Sequence, residues 1–294
     1  SLKPLLINVC LQIVIISEFE SKSSDKKIIQ NDLLEGKINF LIGTHALFQK
    51  NVKFKNLGLA IIDEQHKFGV KQRIELANKG GEDCDILLMS ATPIPRTLIM
   101  TVYGDMDISK ISEKPKNRQK IITLSKPEEK IDEIIFFIKK QIQNKNQIFW
   151  VCPLIEESET LQLETAEKTF KVLSNYFKNH KVGLIHGRLD SSQKKEIMNQ
   201  FKNNQIKILV ATTVIEVGVD VPNATLMVIE NSERMGLSQL HQLRGRVGRG
   251  EKESICIMLY QKKLSDLAKK RLKVIYENID GFKIAEEDLK IRGP

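Results

Sequence analysis

The chain has 294 residues, which is enough for two domains that each have their own hydrophobic core. Its hydrophobic content of 41% and charged content of 28% are those of an ordinary soluble protein, and its net charge of +9 favours an anionic partner such as nucleic acid. No apolar run is as long as a membrane span, and nothing is typical of a signal peptide, so we expect a cytoplasmic protein without a membrane partner. The four cysteines are far apart and form no CxxC pair, so we expect buried reduced thiols and neither a disulfide framework nor a zinc site.

The first third of the chain contains four strand-sized apolar runs. They lie at residues 11–16, 38–43, 57–62 and 85–90. The polar residues 17–27 predict a loop, and residues 28–36 predict a helix that stops at Gly36. A polar stretch at 112–119, SEKPKNRQ, predicts a linker.

Strand and helix patterns alternate after this linker. Strands are predicted at 121–124, 147–152, 182–186, 206–211, 225–230 and 254–260. Isoleucines from 131 to 142 and apolar residues from 163 to 177 form two helical stripes, and a third helix at 190–203 has Asp190 or Ser191 as its candidate cap. This alternation predicts an α/β fold with a mostly parallel sheet and helices on both faces. The charged residues 261–294 predict further helix.

Polar residues follow two of the early strands, at the sheet edge where open α/β folds bind ligands. Asp63 and Glu64 come directly after the run LGLAII, and Gln65 and His66 follow them. One carboxylate can hold Mg²⁺ through its water shell while the other acts as a general base, although an acidic turn that merely closes a strand is common. Ser90 and Thr92 end the next strand, where their hydroxyls can bond to His66 or the carboxylates if the two strands are neighbours; a plain turn is the alternative.

Other strand ends carry groups suited to phosphates. Thr44 and His45 follow the second strand, and Arg188 follows His186 and Gly187. Thr212 and Thr213 offer hydroxyls and backbone amides, Gly218 allows close approach, and Asp220 can accept a ribose hydroxyl. For each of these sites, an ordinary loop or a structural histidine remains an alternative.

The segment 239–250, QLHQLRGRVGRG, concentrates arginine and glycine. It carries Gln242, Arg246 and Arg249. On a helix, arginines three residues apart would point from nearly the same side, and the glycines let a backbone or a phosphate come close. Paired guanidiniums suit a polyphosphate, whereas a basic solvated loop or a nucleic-acid patch is the alternative.

Taken in order, these motifs resemble those of the superfamily 2 helicases. Their motifs II to VI are similar, in this order, to DEQH at 63–66, SAT at 90–92, WVCPLIEES at 150–158, residues 211–220 and residues 239–250. The longer words GTHALFQ, IIDEQHKFGVKQR, MSATPIPRTL and YGDMD are similar to those of the RecG family of branched-DNA translocases. The transcription-repair coupling translocase Mfd shares the ATPIPRTL and GRVGR blocks, so an Mfd-like motor is an alternative.

The resemblance implies two RecA-like domains that bind ATP and Mg²⁺ between them. Residues 1–116 would be the C-terminal part of the first, 117–262 the second, and 263–294 the start of a helical translocation region. Asp63 would contact Mg²⁺ through water, Glu64 would activate the attacking water, Arg246 and Arg249 would be arginine fingers, and Gln242 would sense the phosphate. The implied coupling residues are Gln65, His66, Ser90 and Thr92. Gly218 and Asp220 would lie near the nucleotide, and Thr44, His45, Arg188, Thr212 and Thr213 would follow the DNA backbone. The partner would be branched DNA, bound by a monomer in the bacterial cytoplasm and nucleoid.

Two departures from the family pattern modify this expectation. The sequence contains no GxxxxGK[ST] loop, and Ser17-Glu18 stands where the family usually has Thr-Gly. We therefore expect an internal piece of a longer protein that does not hydrolyse ATP by itself, with a first sheet whose apolar face is exposed. A decayed helicase that keeps the fold and binds nucleic acid without catalysis is the alternative.

Overall fold

The computed structural model describes residues 13–16, 23–44, 47, 49, 51–64, 79–80, 84–90, 107–111, 113, 119–152, 159–212 and 221–292. The chain divides into two compact units, unit 1 at residues 1–91 and unit 2 at residues 92–294. The predicted domain boundaries after residues 116 and 262 stay predictions. Most of the predicted linker at 112–119 lies outside the described residues.

The described residues of unit 1 contain two pairs of parallel strands. Its elements are β1 (Ile13–Ile16), α1 (Ser23–Glu35), β2 (Phe40–Gly43), β3 (Leu59–Ile62) and β4 (Asp85–Leu88). Strand β1 pairs with β2, and β3 pairs with β4. All four predicted strands are confirmed, and β2, β3 and β4 are each shorter than their apolar runs. The prediction of a loop over 17–27 is wrong from Ser23 onward, because the residues Ser23, Ser24 and Asp25 favour a helix start.

Helix α1 stops at the predicted glycine. Gly36 has φ +75°, a conformation that costs an L side chain energy but costs glycine little. The Gly36 amide donates to Leu33 O at 3.2 Å, and the Lys37 amide donates to Asp32 O at 2.9 Å. This pair of bonds is a Schellman motif, which satisfies carbonyls that the helix end would leave open.

Unit 2 is built on a six-stranded parallel sheet with the order β5-β10-β9-β6-β8-β7. Its strands are β5 (Ile121–Pro127), β6 (Gln147–Val151), β7 (Val182–Ile185), β8 (Ile208–Ala211), β9 (Ala224–Ile229) and β10 (Ser254–Tyr260). Its helices are α2 (Ile131–Gln143), α3 (Glu159–Tyr176), α4 (Ser191–Lys202), α5 (Leu237–Arg244), α6 (Asp266–Glu277) and α7 (Gly281–Arg292). The parallel α/β prediction is therefore confirmed for this unit.

Successive side chains of each strand enter different cores, as the pleat requires. Ile148 and Trp150 of β6 pack with α2 and α3 on one face, whereas Phe149 and Val151 pack with α4, α5 and α6 on the other. Helices thus cover both faces of the sheet, as predicted. The Asp190 cap is also confirmed, since its Oδ1 accepts from the Gln193 amide at 2.8 Å. No helix among the described residues is long and apolar enough to cross a membrane.

Candidate functional site

The acidic pair lies directly beyond the C-terminal end of β3. Asp63 is exposed and Glu64 is half-buried. The Glu64 amide donates to Asp63 Oδ1 at 2.8 Å, and Glu64 has φ +50°. A left-handed backbone at a glutamate costs about 1–3 kcal/mol, and such strain collects at functional sites. The chain therefore turns sharply at the pair.

Strands β3 and β4 are neighbours. The predicted bonds from Ser90 and Thr92 to His66 or the carboxylates require this pairing. Ile62 is in register with Leu88, and the Met89 amide donates to Ile62 O at 2.8 Å. Ser90, which is half-buried, therefore leaves the sheet at the same edge as Asp63. Gln65, His66 and Thr92 lie outside the described residues. A bond between them and Ser90 stays a prediction.

The arginine segment of unit 2 has a different geometry from a continuous helix. Helix α5 ends at Arg244 with Gly245 as its C-cap, so Arg246 and Arg249 lie in the turn beyond it. The helical alignment of these two arginines is therefore not realised. Arg249 is exposed and its Nε donates to Gly245 O at 3.3 Å, while Gln242 is half-buried on α5.

Two glycines allow this turn to lie very close to other residues of unit 2. Gly248 has φ +74°, and a Cβ there would lie 2.7 Å from Ile121 Cγ1. A Cβ on Gly250 would lie 2.9 Å from the Pro222 carbonyl oxygen. The close backbone approach that the glycines predicted is thus confirmed at Gly250, where the partner is protein backbone.

Arg244, two residues before Arg246, has a structural role that the sequence did not reveal. It is 3% exposed, and its Nη1 donates to Ile275 O at 2.7 Å and to Asn278 O at 2.8 Å. Its Nη2 contacts His241 Nδ1 at 3.0 Å, and burial lowers the pKa of the guanidinium. A cation at the C-terminal end of α6 also complements the helix dipole. Leu237, Leu240 and Arg244 are spaced three and four residues apart and share one buried face of α5, and this spacing was the signal that could have separated Arg244 from the next two arginines.

The predicted DNA contacts lie at the C-terminal ends of strands. Thr44 follows β2 and is exposed, and Arg188 follows β7 and is exposed. Thr212 follows β8 but is buried, and its amide donates to Ile185 O at 3.2 Å. That amide is therefore engaged within the fold, and a hydroxyl contact from Thr212 stays a prediction. His45, Thr213, Gly218 and Asp220 lie outside the described residues.

Arg188 and Thr212 are brought to the same part of unit 2. Strands β7 and β8 are paired with Ile185 opposite Ala211, so the residues that follow them leave one edge of the sheet side by side. Lys194 Nζ donates to Gly187 O at 2.7 Å and fixes the turn that carries Arg188. In the described part of the chain, no group of three or more His, Cys, Asp or Glu could hold a metal ion.

Two helicase family models match the chain, one over the acidic pair and the other over the arginine segment. Residues 2–101 match the DEAD/DEAH box helicase model, and residues 114–251 match the helicase conserved C-terminal domain. The ATP-dependent DNA helicase RecG of Bacillus subtilis (strain 168) is 49% identical over 274 residues, which are 93% of this chain and 40% of that protein. RecG of Haemophilus influenzae is 52% identical over 263 residues, 88% of this chain and 38% of that protein.

A solved structure of RecG bound to a three-way DNA junction agrees with these relatives. It matches 99% of this chain and 37% of its own with a TM-score of 0.74 and 43% identity. The chain belongs to the RecG family of helicases. Its fold is the predicted one of two RecA-like parallel-sheet domains. The chain spans about 40% of the length of the RecG relatives that it matches.

Proposed function

We propose that this chain forms the motor core of an ATP-dependent DNA helicase that translocates on branched DNA such as replication forks and Holliday junctions. The observation that carries the proposal is RecG identity of about 50% over 93% of the chain, across both helicase regions. The solved RecG structure that it resembles is bound to a three-way DNA junction. A role in DNA repair and recombination follows from this substrate class.

Unit 1 would supply the groups that act on water and metal. Carboxylate oxygens are the ligands that Mg²⁺ prefers, and exposed Asp63 fits contact through a water shell. The bound ion would neutralise charge on the ATP phosphates. Glu64, turned by its left-handed backbone, would take a proton from the attacking water as the general base. Gln65, His66, Ser90 and Thr92 would link this chemistry to DNA movement.

Unit 2 would supply positive charge for the transition state. Arg246 and Arg249 act as arginine fingers, groups worth about 10³–10⁵ in rate in other nucleotide hydrolases. Their place in a turn whose glycines pack closely against Ile121 and Pro222 supports this role, because the backbone that carries the arginines is fixed. Gln242 senses the phosphate, and Gly218 and Asp220 contact the nucleotide.

DNA would be held through its phosphates. Thr44, His45, Arg188, Thr212 and Thr213 follow the backbone, and the net charge of +9 favours this binding. Because these contacts are with phosphates, binding of forked DNA should weaken steeply between low and high salt, and an affinity that is independent of salt would contradict the assignment.

We also propose that the protein acts as a monomer.

The test is DNA-stimulated ATP hydrolysis by the full-length gene product. We expect forked DNA to stimulate turnover, and Glu64→Gln or Arg249→Ala to lower kcat by about 10²-fold or more. Asp132→Asn, on the exposed side of α2, is the matched control and should leave kcat unchanged. The purified 294-residue chain should not turn over ATP, because its sequence lacks the GxxxxGK[ST] phosphate loop. Turnover by this chain would refute that expectation.

The missing phosphate loop also favours a second candidate, a helicase fold that binds nucleic acid without catalysis. The same assay separates the two. A full-length protein that binds forked DNA but shows no ATP hydrolysis would establish the non-catalytic module, whereas Glu64-dependent turnover would exclude it.

A further inference from the structure

A cavity of about 320 Å³ lies in unit 2, outside the residues assigned to ATP or DNA. It is bounded by α2, α3 and the C-terminal ends of β6, β9 and β10. Ligand sites in proteins commonly have volumes of about 300–1,000 Å³, so the cavity can hold a small ligand or one long side chain. We call it the Glu230 pocket, after the carboxylate that lines it.

The Glu230 pocket lies where the sheet changes its direction of winding. Strands β6 and β9 are neighbours, but the chain leaves β6 towards β7 and leaves β9 towards β10, on opposite sides. Helix α3, after β6, packs on one face, and α5, after β9, packs on the other. The connections diverge at this point, and open α/β sheets bind ligands in the crevice that results.

Glu230, one of two glutamates that line the pocket, has a carboxylate held by neutral donors. Trp150 Nε1 donates to Glu230 Oε1 at 2.7 Å, and Thr169 Oγ1 donates to the same oxygen at 3.1 Å. The Thr169 hydroxyl lies 3.5 Å from Oε2, a much weaker contact. Burial raises the pKa of Glu230, and hydrogen bonds from Trp150, Cys152 and Thr169 offset part of that rise. No cation among the described residues forms an ion pair with this carboxylate, so it can accept one from a ligand.

The walls suit an aliphatic stem with a charged end. Apolar side chains line the cavity, namely Ile131, Ile135, Val172, Leu173 and Leu259. The aromatic rings of Trp150, Tyr176 and Tyr260 complete it. Methylene groups pack on such surfaces, and aromatic faces attract cations. Two charged side chains also line the pocket: Glu128, which would attract a cation, and the exposed Lys168, which would repel one.

We propose that the Glu230 pocket binds an organic cation, a guanidinium or primary ammonium on an aliphatic stem. The charged end pairs with Glu230, and the stem packs against the apolar walls. The cation comes either from an arginine or lysine side chain of a partner protein or from a free polyamine.

Trp150 provides a direct readout, because it is the single tryptophan of the chain and its indole touches the proposed anchor. The 294-residue chain is titrated with Nα-acetyl-arginine amide, with spermidine and with the neutral Nα-acetyl-citrulline amide, followed by Trp150 emission and by calorimetry. We expect saturable binding of at least one cation and none of the citrulline derivative. Tighter binding of the arginine amide indicates a protein side chain, and tighter binding of spermidine indicates a free polyamine.

Two variants make the test specific. Glu230→Gln keeps an oxygen that accepts from Trp150 but removes the charge, and it should weaken cation binding about tenfold or more. Lys168→Met removes the repelling charge and should strengthen binding several-fold. Circular dichroism confirms that each variant is folded. Equal binding of the citrulline derivative, unchanged binding by Glu230→Gln, or no cation response would overturn the proposal.

Discussion

The sheet of unit 2 is buried on both of its faces, whereas strand β3 of unit 1 buries one face and exposes the other. All four residues of β8 are buried. In β3 the pattern alternates, since Ala60 and Ile62 are buried while Leu59 is 53% and Ile61 is 56% exposed. Phe40 and Ile42 on β2, Leu87 in β4 and Met89 just beyond β4 are exposed in the same alternating way. The apolar exposure that the sequence predicted for unit 1 is thus confirmed.

This contrast shows that strands of similar composition can contribute very differently to stability. Burial of apolar area gains about 25 cal/mol per Å², so a strand residue between two helical layers contributes far more than one facing solvent. Unit 1 also depends on polar links. Lys79 Nζ donates to the carbonyl oxygens of Leu47, Gln49 and Val52, at 2.9, 2.6 and 3.0 Å. We therefore expect unit 1 to open more readily than unit 2.

The largest expected effect comes from the same substitution in both units. Ile208→Ala in β8 leaves a cavity in a closed core and should lower the free energy of unfolding by about 2–5 kcal/mol. Ile61→Ala, on the exposed face of β3, should change local stability by no more than about 0.5 kcal/mol. Amide hydrogen exchange of the β8 and β3 peptides measures both. If the two variants cost the same, the exposed face of unit 1 is packed after all.

The next effect separates the arginines of one segment. Arg244→Met leaves the carbonyls of Ile275 and Asn278 without their charged donor, so unit 2 should lose about 1.5–3 kcal/mol of stability. Arg249→Ala, at an exposed position, should change it by no more than about 0.5 kcal/mol. Urea unfolding followed by Trp150 emission measures both changes. A destabilised Arg249 variant would show that the turn depends on that side chain.

A smaller effect depends on pH. The pKa of Glu230 is raised in the folded state, so the proton is held more tightly there than in the unfolded chain. The resulting stabilisation is complete below the unfolded pKa and is lost as pH rises through the folded one. Glu230→Gln should therefore raise the melting temperature relative to the parent at pH 8 and progressively less towards pH 4. A difference that stays constant across this range would contradict the raised pKa.

The smallest effect on stability should come from a change that removes exposed apolar surface from unit 1. Replacing Leu59 and Ile61 together by threonine keeps strand propensity and removes exposed apolar surface. We expect lower fluorescence of the dye ANS and less aggregation, with little change in melting temperature. Phe136→Ser, an exposed aromatic on α2, is the control outside unit 1. Equal loss of dye binding in the control would show that the unit 1 face is not the main dye site.

Most strands and helices could be predicted because each depends on a local pattern. Short continuous apolar runs predicted the strands, Gly36 ended α1, and Asp190 capped α4. The start of α1 at Ser23 was missed because its first turn is polar and carries no apolar stripe. The end of α5 at Arg244 was missed because a glycine alone does not show whether a helix stops before or after it.

The sequence by itself determined the family, the parallel α/β architecture and the positions where acidic and basic groups follow strands. Long motif words identify a family, and apolar periodicity is read within one element. Tertiary structure alone decided that Arg244 is buried beneath α6, that Glu64 adopts a left-handed turn, and that Trp150 meets Glu230 in a cavity. The contacts of Arg244 and of Trp150 join residues that are 31 and 80 positions apart in the chain, and no local pattern encodes such a meeting.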